Sequence, residues 1–163
     1  DIGIGSGCIL LSILKERKFY RGTGIDISKI CLKITKINAI KLKVSSQLKL
    51  YKTNIDKFAL GKYDLIVSNP PYIKKHILQY LDKDVAEFEP KLALDGGIDG
   101  LSEIRKVISK SSELIKKNGK FILEIGFDQK NKVIKILKKE GFYINSIQKD
   151  LAKKDRCIIS TKL

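Results

Sequence analysis

The sequence predicts an α/β fold with a doubly wound, mostly parallel sheet, and two observations carry that prediction. Segments with strand-like and helix-like apolar spacing alternate along the chain, which is typical of parallel β-α units. The last two strand candidates are joined by a polar stretch without a helix, which predicts an antiparallel pair at the edge of the sheet. Because 163 residues suit one domain with a substantial core, we expect a single domain over residues 1–163.

Each predicted element has its own local signal. Four stretches have apolar residues at helical spacing: residues 6–16, residues 29–40, residues 101–117 and residues 129–140. Six shorter stretches are strand candidates: residues 20–27, 47–51, 63–68, 121–125, 142–147 and 156–161. Ser28 is placed to cap the second helix, and Asn118-Gly119 is expected to end the third. Residues 73–99 are expected to be irregular.

The chain carries a net charge of +15, for which two explanations compete. A basic surface suits RNA or a ribonucleoprotein. Alternatively, an AT-rich coding sequence favours lysine and isoleucine at the level of composition. The lysines are spread along the chain instead of clustered, so the charge alone does not predict nucleic-acid binding.

The sequence also suggests where the protein works and how it begins. No apolar run approaches the ~20 residues of a membrane span, and three widely separated cysteines without a histidine at metal spacing predict reduced thiols and no metal site. The chain has no methionine and opens on Asp1-Ile2-Gly3. We expect a cytoplasmic protein without a membrane partner, truncated at its N-terminus. An organellar location is the alternative if a targeting segment is missing.

Residues 1–7 read Asp-Ile-Gly-Ile-Gly-Ser-Gly and precede the first predicted helix. Glycines allow a tight turn and a close approach of the backbone to a ligand, beside the free N–H groups of a helix N-terminus. The spacing is G-x-G-x-G, and Cys8 stands where the dinucleotide fingerprint has its last glycine, which argues against NAD and FAD. Asp26, at the end of the next strand, is placed to accept both hydroxyls of an adenosine ribose. The alternative is a cluster of turn glycines with a capping acid.

These residues resemble the cofactor loop of class I S-adenosylmethionine-dependent methyltransferases. The resemblance implies a Rossmann-like sheet of seven strands with an antiparallel edge strand. Its first central strand would end at Asp1 and is truncated here, so we expect the 163 residues alone to fold poorly. Asp26 would bind the ribose. The amino-acid end of S-adenosylmethionine would lie against the loop residues Gly3, Ile4, Gly5, Ser6 and Gly7.

Asn-Pro-Pro-Tyr at residues 69–72 follows an apolar strand and offers acceptors with few donors, because proline has no N–H. It resembles the signature of methyltransferases that modify planar nitrogens. Such a nitrogen is a poor nucleophile, and the side-chain oxygen of Asn69 and the carbonyl of Pro70 can accept its two N–H bonds and aim its lone pair. Tyr72 can pack over the planar group. The alternative is a plain proline-rich turn with Tyr72 in the core, and His76 is expected to be a solvated loop residue.

Three later stretches are similar to the HemK/PrmC family of release factor glutamine methyltransferases: residues 87–101, Leu123-Glu124-Ile125-Gly126 with Gln129, and Lys149-Asp150-Leu151 leading to Asp155-Arg156. The likeness covers essentially the whole chain. It implies methyl transfer to the glutamine of the Gly-Gly-Gln motif in peptide chain release factors, by a monomer that needs no nucleic acid. It also implies an N-terminal helical domain that docks the release factor and is absent here.

The same resemblance assigns roles to single residues. Asn69, Pro70, Pro71 and Tyr72 would hold the substrate glutamine, and Asn69 would also contact the cofactor. Asn54 and Ile55 would lie beside the adenine, although Asn54 stands where an acid is common.

Two other functions remain open on the sequence. A methyltransferase acting on the amino groups of adenine in DNA or guanine in RNA would share the same tetrapeptide and agree with the positive charge. A basic binding module that has lost catalysis is the non-enzymatic alternative. The intact Gly3, Gly5, Gly7, Asp26 and Asn69 argue against decay and favour an enzyme.

Overall fold

The structure is a computed structural model, which describes residues 1–80 and 94–163. It confirms an α/β fold, in which α-helices and strands are interspersed along the described residues. The chain forms two compact units, residues 1–60 and residues 61–163. The single domain over residues 1–163 stays a prediction. Within the described ranges, no helix is both long and apolar enough to cross a membrane.

The first unit is a pair of β-α repeats. Its elements are α1 (Cys8–Glu16), β1 (Gly22–Asp26), α2 (Lys29–Lys41) and β2 (Leu48–Lys52). β1 and β2 run parallel, and Ile2 forms a further parallel bridge to Ile25. Ser28 caps α2, because its side chain accepts a hydrogen bond from the backbone N–H of Cys31 at 3.2 Å. The predicted cap is therefore confirmed.

The core of the first unit lies between α1, α2 and the loop at residues 1–7. It consists of the buried residues Ile4, Leu10, Leu11, Leu14, Leu32, Ala39 and Val44. The inward face of α2 is formed by Leu32, Thr35 and Ala39. The isoleucines that mark this helix in the sequence are exposed instead: Ile30, Ile34, Ile37 and Ile40.

In its described residues, the second unit contains a four-stranded sheet and two α-helices. Its elements are β3 (Tyr63–Ser68), α3 (Ser102–Leu114), β4 (Ile115–Glu124), α4 (Lys130–Lys139), β5 (Phe142–Lys149) and β6 (Asp155–Lys162). The strand order is β3-β4-β6-β5. β3 and β4 run parallel, whereas β6 runs antiparallel to both β4 and β5. The predicted antiparallel pair is confirmed, and its reversed strand β6 lies between β4 and β5.

This arrangement brings three chain segments together where strands β3 and β4 end. These two strands are parallel neighbours, so the segments that follow Ser68 and Glu124 leave the sheet side by side. Because β6 is antiparallel to β4, the turn between β5 and β6 lies at the same end of the strands. The tetrapeptide at residues 69–72 therefore has neighbours from residues 125–129 and 150–156.

One boundary predicted from the sequence is wrong. α3 ends at Leu114, and Asn118-Gly119 lies within the span of β4 instead of ending the helix. Ile115 already pairs with Tyr63 of β3, and the register then shifts before Leu65 pairs with Lys120. Asn118 does have the positive φ of 64° that its turn signal predicts. Pairing with β3 therefore ends the helix before the local turn signal is reached.

The six strand candidates all correspond to strands. Among the described residues, β1 and β2 form a two-stranded sheet and the other four strands form the second sheet. The region expected to be irregular contains a 3-10 helix, Lys75–Tyr80, and a bridge between Ile73 and Asp95. His76 is exposed in that helix, as expected.

Candidate functional site

The glycine-rich loop of the first unit has the backbone that its sequence predicts. Gly3, Gly5 and Gly7 have φ angles of 72°, 56° and 86°, a region that favours glycine. A Cβ atom placed on Gly3 or Gly5 would meet nothing within 4 Å, whereas one on Gly7 would meet Leu11 at 2.8 Å and Thr35 at 2.9 Å. Gly7 is therefore required for packing, while Gly3 and Gly5 present open backbone.

Asp26 is bound directly to this loop. One carboxylate oxygen accepts the backbone N–H of Gly5 at 3.0 Å, and the other accepts the N–H of Ser28 at 2.8 Å. The residue is half-buried. A carboxylate has about four lone-pair positions, so these two bonds leave acceptor capacity for a ligand. The structure thus brings together the loop and the acid that the sequence placed about twenty residues apart.

Two residues of α2 donate hydrogen bonds to the loop, and the sequence motifs did not predict this role. The Thr35 hydroxyl donates to the carbonyl of Gly5 at 2.8 Å, and the Asn38 amide donates to the carbonyl of Ser6 at 2.9 Å. Thr35 is fully buried. The available signal was a pair of polar residues three positions apart in an isoleucine-rich helix, which places both on one face.

The remaining residues predicted to contact the cofactor differ in what they expose. Ser6 is exposed, whereas Ile4 and Ile55 are buried, with 5% and 8% of their surface exposed. The Asn54 side chain accepts the backbone N–H of Asp56 at 3.0 Å and caps a short 3-10 turn. The predicted roles of these four residues stay predictions.

The tetrapeptide of the second unit presents an amide at the end of a buried strand. Ser68 is only 2% exposed, the next residue Asn69 is exposed, and Pro70 is buried. Pro71 and Tyr72 are half-buried. An exposed carboxamide therefore stands beside a stiff proline pair, as the acceptor hypothesis requires.

Tyr72 is bound at its phenol and also contacts a cation. Its hydroxyl donates to Glu124 at 3.2 Å and accepts from Arg156 at 3.4 Å. The Arg156 guanidinium lies 5.8 Å from the ring centroid and pairs with Asp150 at 3.0 Å. Burial and the neighbouring Glu124 raise the pKa of Tyr72, and Arg156 opposes that rise. The phenol therefore stays protonated and donating at neutral pH.

Comparison with known proteins decides the family. Residues 1–88, more than half of the chain, match the family model described as methyltransferase small domain. The chain belongs to this methyltransferase family. The release factor glutamine methyltransferase of Caulobacter vibrioides is 37% identical over 163 residues, and that of Clostridium acetobutylicum is 36% identical over 165 residues. Both comparisons cover 99% of this chain, but only 56% and 58% of those proteins. The chain thus spans a little over half the length of these curated relatives.

The methyltransferase fold is also seen in solved structures. Magnesium protoporphyrin IX methyltransferase from Synechocystis, determined with bound SAM, superimposes with a TM-score of 0.69 at 17% identity. The comparison covers 100% of this chain and 68% of that protein. It confirms the Rossmann-like methyltransferase fold class predicted from the sequence, and the named relatives confirm the similarity to release factor glutamine methyltransferases.

The family-like block at residues 87–101 lies partly outside the described residues, which resume at Leu94. Its described part is a tight loop held by its own aspartates. Asp95 accepts the N–H of Gly97 at 2.8 Å, and Asp99 accepts the N–H of Leu101 at 3.0 Å. Gly96 donates to the carbonyl of Ile73 at 2.8 Å, so this loop pairs with the chain just after Tyr72.

Proposed function

We propose that the protein transfers a methyl group from S-adenosylmethionine to the side-chain amide nitrogen of the glutamine in the Gly-Gly-Gln motif of peptide chain release factors. The similarity to release factor glutamine methyltransferases supports this substrate. The observation that carries the proposal is the exposed carboxamide of Asn69, which directly follows a buried strand and precedes two prolines. We propose a monomeric, cytoplasmic enzyme with the release factor as its partner.

The first unit fits the cofactor by its chemistry. The open backbone at Gly3 and Gly5 allows a ligand to approach closely, and the first turn of α1 offers N–H groups that suit a carboxylate. The Asp26 carboxylate keeps acceptor capacity for the two ribose hydroxyls. When bound, S-adenosylmethionine would supply the methyl group, and the S–CH3 bond that breaks as the new N–C bond forms would leave its electron pair on the sulfur of a neutral thioether product.

The second unit would act on the substrate amide. A glutamine side-chain nitrogen is planar, and its lone pair is delocalised into the carbonyl. The Asn69 side-chain oxygen and the Pro70 carbonyl would each accept one N–H bond, which fixes the plane of the amide and the direction of its lone pair. These fixed acceptors stabilise positive charge that develops on the nitrogen as the new N–C bond forms. One N–H proton then leaves to water, so no strong base is needed before attack.

The proposal is tested by incubating the full-length protein with methyl-labelled S-adenosylmethionine and a purified release factor. Label is expected on the glutamine of the Gly-Gly-Gln motif, and a factor carrying Gln→Asn at that position is expected to stay unlabelled. Peptide mass spectrometry locates the added methyl group.

The outcome that contradicts the proposal is equally specific. An unlabelled wild-type release factor, with label appearing instead on DNA or ribosomal RNA in parallel reactions, would establish the nucleic-acid alternative. Strongly salt-dependent binding to DNA or RNA would accompany that result.

A further inference from the structure

A buried amide lies behind the tetrapeptide and is fully engaged by backbone groups. Gln129, at the start of α4, is only 3% exposed. Its Nε2 donates to the carbonyl of Tyr72 at 3.0 Å and to the carbonyl of Gly100 at 2.9 Å. Its Oε1 accepts the N–H of Gly126 at 2.8 Å. One side chain therefore joins three segments that are distant in sequence.

The space around this amide is provided by two glycines. A Cβ atom on Gly100 would lie 2.7 Å from Gln129 Nε2 and 2.6 Å from the Tyr72 carbonyl oxygen. A Cβ atom on Gly126 would lie 3.0 Å from the Gln129 carboxamide. Any larger residue at Gly100 would displace the amide or the tetrapeptide, so the surroundings are fitted to this contact.

The backbone of the tetrapeptide offers few N–H groups that could bind neighbouring segments. Pro70 and Pro71 carry no N–H group and cannot donate to a neighbouring strand. The Tyr72 carbonyl is the last backbone acceptor of the tetrapeptide, and Gln129 binds it directly. The same amide binds Gly100 at the far end of the loop that pairs with Ile73. Movement of the tetrapeptide is thereby coupled to movement of residues 94–100.

We propose that Gln129 is the positioning residue of the methyl-acceptor loop, which fixes Asn69 and Pro70 by holding the carbonyl of Tyr72. This inference rests on the proposed function, because it assigns Gln129 a role in presenting the substrate nitrogen. Gln129 acts through backbone groups and does not itself touch the substrate. Its loss should therefore reduce turnover while leaving cofactor affinity close to that of the wild type.

Three variants of the full-length protein test the proposal. Gln129→Met removes both donors at similar length, and Gln129→Glu keeps the acceptor for Gly126 but donates only when its carboxyl is protonated. Gln148→Glu is the matched control, since Gln148 is an exposed residue of β5 that receives the same change. We expect Gln129→Met to lower kcat on the release factor by roughly ten- to a hundred-fold. The dissociation constant for S-adenosylmethionine should stay within about two-fold, as expected for a residue outside its binding site.

The pH profile separates positioning from a general structural role. The kcat of Gln129→Glu, divided by that of the wild type, should rise as the pH falls from 8.5 to 6, by up to about ten-fold per unit, because protonation restores one donor. The corresponding ratio for Gln129→Met should be flat, and Gln148→Glu should match the wild type. A flat ratio for Gln129→Glu at the level of Gln129→Met would overturn the proposal.

A second measurement needs no substrate. Hydrogen exchange in the peptide containing residues 72–75 should be at least about ten-fold faster in Gln129→Met than in the wild type or Gln148→Glu, because the carbonyl that anchors it is released. If the wild type fails to label a release factor, the proposed substrate is wrong, and this measurement still decides the role of Gln129. Unchanged exchange in both Gln129 variants would refute the positioning role independently.

Discussion

Replacing Thr35 by valine removes one buried hydroxyl and keeps the shape of the side chain. Thr35 is fully buried, and its hydroxyl donates to the carbonyl of Gly5 at 2.8 Å. Without it, that carbonyl loses a donor in a partly buried environment, and the cost lies at or below the roughly 1–3 kcal/mol of a fully buried unpaired group. The Gly5 N–H is bound to Asp26, so a shift of Gly5 also moves the acid predicted to bind the ribose.

We therefore expect Thr35→Val to lower the free energy of unfolding by about 2 kcal/mol and to weaken S-adenosylmethionine binding by roughly ten-fold. Urea unfolding of the full-length protein measures the first effect, and isothermal titration calorimetry measures the second. Thr35→Ser keeps the hydroxyl and should recover most of the cofactor affinity. Thr23→Val makes the same exchange in the half-buried strand β1 and should change either quantity little.

Two outcomes would contradict this role of Thr35. If Thr35→Val and Thr23→Val have the same unfolding free energy and the same cofactor affinity, the hydroxyl does not hold the glycine loop. If Thr35→Ser binds the cofactor as weakly as Thr35→Val, keeping the hydroxyl does not restore binding, and loss of the hydrogen bond does not explain the weaker affinity.

Three further predictions concern single residues. Gly7→Ala should destabilise the protein by more than the roughly 1–2 kcal/mol expected for Gly3→Ala. Both glycines have a positive φ, but of the two only Gly7 lacks room for a Cβ atom. Equal urea unfolding midpoints for the two variants would contradict this prediction. Asn69→Ala should lower kcat by about a hundred-fold or more with cofactor affinity only weakened, and unchanged turnover would refute its role. Asp99 binds Arg105 at 2.6 Å, and hydrogen bonds from Arg105 and then the Leu101 N–H lower its pKa to about 2. The stability that the Asp99 carboxylate contributes is therefore complete above about pH 4 and is lost as the pH falls through 2. In acid unfolding, the difference in unfolding free energy between the wild type and Asp99→Asn should shrink over that range. A difference that stays constant with pH would contradict this prediction.

Helix α2 shows which structural features apolar spacing can predict and which it cannot. Its existence and its cap at Ser28 were predictable, because the local signals agree. Its buried face was not, since Ile30, Ile34 and the other isoleucines are exposed while Thr35 and Ala39 face inward. The helix packs closely against the glycine loop, where a small residue and a hydroxyl fit. Hydrophobicity alone does not report that geometric requirement.

The same limit applies to the boundary between α3 and β4. Asn118 has a positive φ, which asparagine adopts more readily than most residues, and that preference is local. The end of the helix at Leu114 depends on pairing between Ile115 and Tyr63, which are 52 positions apart. A pattern within a short window contains no information about that partner.

The residues of the candidate site also differ in whether local sequence or remote contacts determine their role. Residues that face the proposed ligands, such as Asp26 and Asn69, follow from short motifs because the chemistry selects their type. The contacts of the residues that hold them depend on the fold, even where such a residue lies in a family-like stretch, as Arg156 does. Thr35 lies 30 positions from Gly5, and Arg156 lies 84 positions from Tyr72.

The tetrapeptide shows why such remote support is needed. Two prolines make residues 69–72 rich in acceptors, and they also remove the donors with which a loop holds itself to its neighbours. A loop of this kind depends on side chains from elsewhere in the chain, here Gln129 at the Tyr72 carbonyl and Arg156 with Glu124 at the phenol. Substitutions at these supporting residues should therefore impair turnover nearly as much as substitutions within the tetrapeptide. All three residues lie in the family-like stretches, but only the fold shows that they contact Tyr72.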